Sequence, residues 1–213
     1  MSSLWINAAA VLAAYLIGGV LGGRIIGRLR GVDLRAAGSG NVGATNALRT
    51  QGKVFALAVL LIDMAKGALA ALLLPQLAGE QASAALPYFC GAAATLGHCF
   101  PPWYGFNGGK GVATLSGAFL ALLPAAFTWM LAVFVLMVLL TGTVSLATLA
   151  GVLTGFLLVL WQTSAPGHPA TLFALAMLLL VLFTHRENWR RLAAGTESRF
   201  ERARLLGRWL RLP

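Results

Sequence analysis

Most of the side chains able to do chemistry fall in a few short polar stretches between long apolar ones. The first is Gly38-Ser39-Gly40-Asn41-Val42-Gly43-Ala44-Thr45-Asn46-Ala47-Leu48-Arg49. Its glycines allow backbone N–H groups to turn towards an anion. Ser39, Asn41, Gly43, Thr45 and Asn46 add hydrogen-bonding groups, and Arg49 offers the parallel donors that clamp a phosphate. The second is Gly105-Phe106-Asn107-Gly108-Gly109-Lys110-Gly111-Val112-Ala113-Thr114, which opens an apolar run. Backbone amides of Gly108, Gly109 and Gly111 at a helix start, with Lys110 and the Thr114 hydroxyl, make a candidate phosphate cradle. A nucleotide-hydrolysing P-loop is excluded, because Gly111 stands where Ser or Thr is required and no strand precedes.

His185-Arg186-Glu187-Asn188 closes the last apolar run. His185 is a candidate base or phosphate donor, Asn188 can fix a hydroxyl or a phosphate, and Glu187 is the local carboxylate. Ser145, in Thr143-Val144-Ser145, adds a hydroxyl. Asp63 and Lys66 lie three residues apart on one face of an apolar helix, where charge is costly and usually functional. Lys66 is thus a candidate substrate ligand, with pairing to Asp63 as the alternative. The six carboxylates are scattered and there are three histidines, so neither a metal site nor a cofactor is expected. Gly-x-Ser-x-Gly and His-x4-Asp patterns are absent.

The elements that position these groups are set by composition. The 213 residues are 59% hydrophobic and only 10% charged, with a mean hydropathy of +0.81. A soluble chain so apolar could not cover its own core, so the solvent is a bilayer. The net charge of +10 does not indicate nucleic acid, because its placement is that of a membrane protein. Arg24, Arg28, Arg30, Arg35, Arg49 and Lys53 share one interval. Arg186, Arg190, Arg191, Arg199, Arg202, Arg204, Arg208 and Arg211 form the tail, and the intervals 76–86 and 162–169 hold no Lys or Arg. By the positive-inside rule both basic intervals face the cytoplasm.

Apolar runs fall at 4–23, 54–75, 86–100, 111–123, 125–140, 144–161 and 170–184. The first lacks a basic segment before it and reads as a retained span. Several are shorter than the roughly 20 residues that cross a bilayer. Pro124 disfavours one long helix over 111–140, and Gly142 marks a further break. The expected fold is all-α: one transmembrane domain over 1–213, a bundle of about seven helices with the N-terminus outside and the C-terminus cytoplasmic. Segment 186–213 is expected to be a basic amphipathic tail, its Trp189, Leu192, Phe200, Leu205, Leu206, Trp209 and Leu210 alternating with arginines as a surface helix. In this topology segments 38–49, 105–114, 141–148 and 185–188 share the cytoplasmic side, as loops that build one site would.

Segments 38–49, 106–117 and 185–197 resemble the three signature segments of the bacterial acyl-phosphate-dependent glycerol-3-phosphate acyltransferases. Asp63-Met64-Ala65-Lys66-Gly67, Gly97-His98-Cys99-Phe100-Pro101 and Val144-Ser145-Leu146-Ala147 resemble that family too, in the same order along the chain. The resemblance implies a seven-helix inner-membrane enzyme. It would move an acyl chain from acyl phosphate to the 1-position hydroxyl of sn-glycerol 3-phosphate, giving lysophosphatidate and phosphate. It further implies Ser39, Arg49, Lys110, His185 and Asn188 as the active centre, with Gly108, Gly109 and Gly111 on phosphate. The chain departs from the pattern at Val42 (proline expected), Asn107 (lysine expected) and Gly142 (a basic residue expected). The partners implied are the two substrates and the lipid bilayer; the sequence leaves the oligomeric state open and allows a monomer. A transporter of a small anion is the alternative from another class, since broken helices and glycine-rich helix ends also serve transport.

Overall fold

The computed structural model describes residues 3–210, and among these every regular element is helical. The chain divides into two compact units, Met1–Leu123 and Pro124–Pro213. The first unit holds α1 (Ser3–Gly18), α2 (Gly22–Arg30), α3 (Ala44–Gln51), α4 (Lys53–Leu77), α5 (Leu86–Cys99) and α6 (Val112–Leu122). The second holds α7 (Pro124–Thr141), α8 (Val144–Thr163), α9 (Pro169–Thr184), α10 (Arg186–Ala193) and α11 (Leu205–Trp209). Each of the seven apolar runs therefore contains a helix. The breaks expected at Pro124 and Gly142 are both present: α6 stops at Leu122, and Gly142 adopts a left-handed φ of 70° between α7 and α8.

Four stretches are long and apolar enough to cross a membrane: Ser3–Arg30, Lys53–Leu77, Pro124–Thr141 and Val144–Thr163. Pro169–Thr184 reaches the same standard only together with α10, from which it bends by 56°. With 14 and 11 residues, α5 and α6 are short for a core about 30 Å thick. Leu57, Leu61, Leu72, Leu153 and Leu157 are exposed, as lipid-facing positions are.

Small residues set the packing of the first unit, in which α4 lies against α1, α5 and α6. Gly67 of α4 abuts the Thr114 carbonyl of α6, and Gly117 of α6 abuts the Met64 carbonyl of α4. The same reciprocal contact joins α1 and α5, with Gly18 on the carbonyl of Ala94 and Gly97 on that of Tyr15. A methyl group at any of the four would overlap the facing oxygen. Lipid tails are as apolar as leucine, so helices in a bilayer associate through such close backbone approach.

The tail differs from the single surface helix read from its sequence. α10 ends at Ala193, Gly195 follows with a left-handed φ of 68°, and the N–H of Thr196 donates to the Arg191 carbonyl at 2.8 Å. The chain then returns to the end of α7. Phe200 N–H donates to Gly142 O at 2.8 Å, Arg204 is 9% exposed, and Gly207 of α11 packs on the Leu140 carbonyl. Backbone carbonyls left open at the end of a helix need partners, and the tail supplies them. Arg211 lies outside the described residues.

Gly117→Ala is expected to destabilise the first unit by about 1–3 kcal/mol, the cost of overpacking, and to lower the thermal midpoint in detergent. Gly167→Ala, where a Cβ meets nothing within 4 Å, is the matched control. Equal midpoints for the two would show that the α4–α6 approach is not tight.

Candidate active site

In the first unit the loop from Leu34 to Gly43 is built around one amide. Asn46, on the first turn of α3, is 2% exposed. Its Nδ2 donates to the carbonyls of Leu34 (2.9 Å), Ala37 (3.0 Å) and Asn41 (2.9 Å), while its Oδ1 accepts from Ser39 N–H at 2.9 Å. The Asn46 amide thus folds the loop, and through it fixes the backbone of Ser39. Gly38 is left-handed (φ 63°), and a Cβ there would strike Asn46 Oδ1. Asn41 Oδ1 accepts from Gly43 N–H at 2.9 Å, closing the turn that leads into α3. Ser39, Thr45 and Arg49 are exposed around this frame.

The second glycine stretch is anchored to the end of α5. Gly108 N–H donates to the Cys99 carbonyl at 3.1 Å and Gly109 N–H to the His98 carbonyl at 3.0 Å. Two of the amides read from sequence as phosphate ligands are therefore engaged with protein. Phe106 adopts a left-handed φ of 61°, a strained state for a bulky residue. Lys110 follows, half-buried, and Gly111 (φ 80°) caps α6. Thr114, in the first turn of α6, is fully buried, and its Oγ1 has no hydrogen-bond partner among the described residues.

Lys66 is 6% exposed. Its Nζ lies 2.9 Å from Asp63 Oδ1, 2.8 Å from His98 Nδ1 and 2.8 Å from Val20 O. An ammonium has three N–H groups, so this lysine is saturated by protein. A groove of about 600 Å³ along α2 is lined by Arg24, Arg28, Asp33 and Tyr104, and contains none of the candidate residues.

In the second unit a carboxylate gathers three segments. Glu197 Oε1 accepts from Ser145 Oγ (2.8 Å) and Asn188 Nδ2 (2.6 Å), and its Oε2 accepts from Arg191 Nε (2.7 Å). Burial alone would raise its pKa. The hydrogen bonds from Asn188, Arg191 and Ser145, with the guanidinium charge, instead hold the carboxyl below the usual glutamate range. Asn188 and Ser145 are brought together in this way. Sequence reasoning chose Glu187, which sits on the exposed face of α10, paired with Arg190 at 2.8 Å. The signal for Glu197 was present, since it closes the third signature segment.

His185 is 4% exposed, with Nδ1 2.9 Å from the Val181 carbonyl. A carbonyl only accepts, so Nδ1 carries the proton. When the ring is neutral, Nε2 holds the lone pair.

A family model described as glycerol-3-phosphate acyltransferase matches residues 8–195. The chain is 38% identical over 192 residues to the glycerol-3-phosphate acyltransferase of Aquifex aeolicus, covering 89% of this chain and 97% of that one. It is 41% identical over 194 residues to a protein of that name from Thermus thermophilus, covering 91% and 95%. Among solved structures it resembles PlsY, an integral membrane glycerol 3-phosphate acyltransferase. The glycerol 3-phosphate form superposes with a TM-score of 0.84 at 37% identity, covering 91% of this chain and 95% of the other. The lysophosphatidic acid form does so with a TM-score of 0.84 at 36% identity, covering 94% and 98%.

The Glu197 cluster carries a pH signature. A carboxyl whose folded pKa is depressed stabilises the fold above its unfolded pKa, and loses that contribution as pH falls through the folded value. The wild-type thermal midpoint is therefore expected to fall as pH drops below about 4.5, the ordinary glutamate value. Glu197→Gln should start from a lower midpoint at neutral pH and fall less steeply. Parallel curves for the two proteins would show that Glu197 does not hold this cluster.

Proposed function

The chain belongs to the glycerol-3-phosphate acyltransferase family, and we propose that it moves an acyl chain from acyl phosphate to the 1-position hydroxyl of sn-glycerol 3-phosphate. The observation that carries this reading is the match over residues 8–195, which spans the first two signature segments and nearly all of the third. Its place is phospholipid synthesis in a membrane.

Both substrates carry a phosphate, and the donor is already a mixed anhydride. The protein's task is then to hold two anions close together and to stabilise charge as it moves. Arg49 and Lys110 are assigned to the phosphates, with Ser39, Asn41, Gly43 and Thr45 completing the first loop. Gly111 and Thr114 contribute from the start of α6. Asn46, Gly108 and Gly109 act through the loop geometry they fix. Asn188 and Ser145 are assigned to substrate through the faces that Glu197 does not engage.

The route is direct transfer. The acceptor oxygen attacks the acyl carbon, the bond from that carbon to the phosphate oxygen breaks, and inorganic phosphate leaves. The hydroxyl proton passes to the departing phosphate or to Nε2 of His185. A serine nucleophile would need a base in hydrogen-bond reach and a third group to orient that base. His185 is oriented instead by a backbone carbonyl.

We further propose seven membrane-embedded helices in the bacterial inner membrane, with the N-terminus outside and both basic intervals and the acyl-transfer chemistry cytoplasmic. Support comes from the Lys and Arg distribution, which an even number of spans would violate at one end.

Detergent-solubilised protein is expected to release phosphate from acyl phosphate only when glycerol 3-phosphate is added, and not to use acyl-CoA. A transporter would give no turnover without a sealed vesicle, and comparable rates with acyl-CoA would reject the donor. Charge-assisted hydrogen bonds contribute about 1.5–3 kcal/mol, so Arg49→Ala and Lys110→Ala should each lower turnover at least about tenfold. Arg49→Lys should fail as well, because a point charge does not replace the fork.

Topology is checked with single cysteines in a background lacking Cys90 and Cys99. An impermeant thiol reagent added outside is expected to label Ser3→Cys but neither Gln51→Cys nor Thr196→Cys. Outside labelling at either of the last two would reverse the orientation.

A further inference from the structure

Asp63, Lys66 and His98 form a buried polar cluster for which acyl transfer has no direct use. They are 1%, 6% and 3% exposed, on α4 and α5. Asp63 Oδ1 accepts from Gly22 N–H at 3.0 Å and lies 2.9 Å from Lys66 Nζ and 3.5 Å from His98 Nδ1. Lys66 Nζ donates to His98 Nδ1 at 2.8 Å. That bond selects the tautomer: an ammonium cannot accept, so Nδ1 holds the lone pair and Nε2 carries the proton. This is the reverse of His185.

The Nε2 edge of His98 abuts Gly109, where any Cβ would overlap the ring. The same residue's carbonyl holds Gly109 N–H at 3.0 Å, and the Cys99 carbonyl holds Gly108 N–H at 3.1 Å. The turn that delivers Lys110 is thus gripped twice by residue 98, by its ring and by its backbone. The ring in turn is held by Lys66 and Asp63. A lysine saturated by protein cannot bind substrate without releasing a partner, at the cost of a buried unpaired group.

We infer that Asp63, Lys66 and His98 are positioning residues for Lys110: the cluster fixes the 108–110 turn so that the Lys110 ammonium meets a substrate phosphate. The inference rests on the assignment of Lys110 to phosphate. It moves Lys66 from substrate ligand to support. It also explains why position 109 is glycine, since the imidazole occupies the space a side chain would need.

The decisive variant is His98→Asn. The amide oxygen can replace Nδ1 as acceptor for Lys66, so the cluster stays satisfied, but the ring edge against Gly109 is gone. Purified wild-type, His98→Asn, Lys110→Ala and double-variant proteins are compared by steady-state kinetics, with thermal midpoints as the folding control. His98→Asn is expected to keep a near-wild-type midpoint. It should raise the KM of the same substrate that Lys110→Ala raises, at least about fivefold, with a smaller change for the other substrate. In the Lys110→Ala background the further loss should shrink below about twofold, because coupled residues are not additive.

Wild-type KM values in His98→Asn, or an undiminished loss on top of Lys110→Ala, would overturn the inference. So would equal losses for both substrates, which a loosened fold produces. If His98→Asn does not accumulate, Gly109→Ala is carried through the same cycle, because it presses on the ring without removing a polar group. Unchanged activity in Lys110→Ala would instead reject the phosphate assignment, and with it the need for the cluster.

Discussion

Gly19, Val20 and Leu21 interrupt the first apolar stretch, and charges on the next one answer the backbone groups that the interruption exposes. Helix α1 ends at Gly18 and α2 begins at Gly22, so the amide of Gly22 and the carbonyl of Val20 lack helical partners. Within a bilayer such groups are tolerated only where protein satisfies them. Asp63 takes the Gly22 N–H and Lys66 donates to the Val20 carbonyl. The acid and the base also neutralise each other, which lowers the cost of placing either in an apolar helix. The position of α4 follows from this, and α1, α5 and α6 pack around it.

That constraint reaches the chemistry through short covalent and hydrogen-bonded steps. Helix α5 ends in His98 and Cys99, whose carbonyls hold Gly109 and Gly108, and Lys110 is the next residue. The neighbouring loop is organised on the same principle by Asn46. In both cases the polar groups that look most suited to an anion are partly occupied in shaping the chain. Exposed or half-buried neighbours such as Ser39, Arg49 and Lys110 stand beside these frames. In the second unit Glu197 plays the corresponding part for Asn188 and Ser145. An anion at the centre of three donors orders those donors, and the guanidinium of Arg191 offsets its charge.

The sequence was legible where periodicity and chain breakers act locally. All seven apolar runs contain helices, and Pro124 and Gly142 end them as their backbone preferences require. The glycine-rich basic segments and His185 stand out as candidates from residue type alone. What it could not show were choices made by tertiary contact. Whether a glycine amide faces an anion or a carbonyl depends on what lies opposite, and for Gly108 and Gly109 that is the end of α5. Lys66 carried the marks of a ligand because intramembrane charge is rare, yet its three acceptors come from Val20, Asp63 and His98. Glu187 reads as the local carboxylate because it is two residues from His185, whereas a return of the chain after Gly195 brings Glu197 to Asn188. The same return prevents the tail from forming one amphipathic helix, although its residue pattern permits one.

The interruption at residues 19–21 also bears on how the protein enters its membrane. Synthesis proceeds from the N-terminus, so the first hydrophobic stretch emerges while residues 63 and 66 have yet to be made. Until they arrive, a carbonyl and an amide in that stretch have only water or the walls of the insertion machinery as partners. Asp63 and Lys66 have a matching difficulty on their own segment. Each stretch is long and apolar enough to cross a membrane, and each carries polar groups that the other satisfies. Burying the two stretches as a pair costs less than burying either with its polar groups open. Two helices that are each incomplete alone complete one another within a single chain.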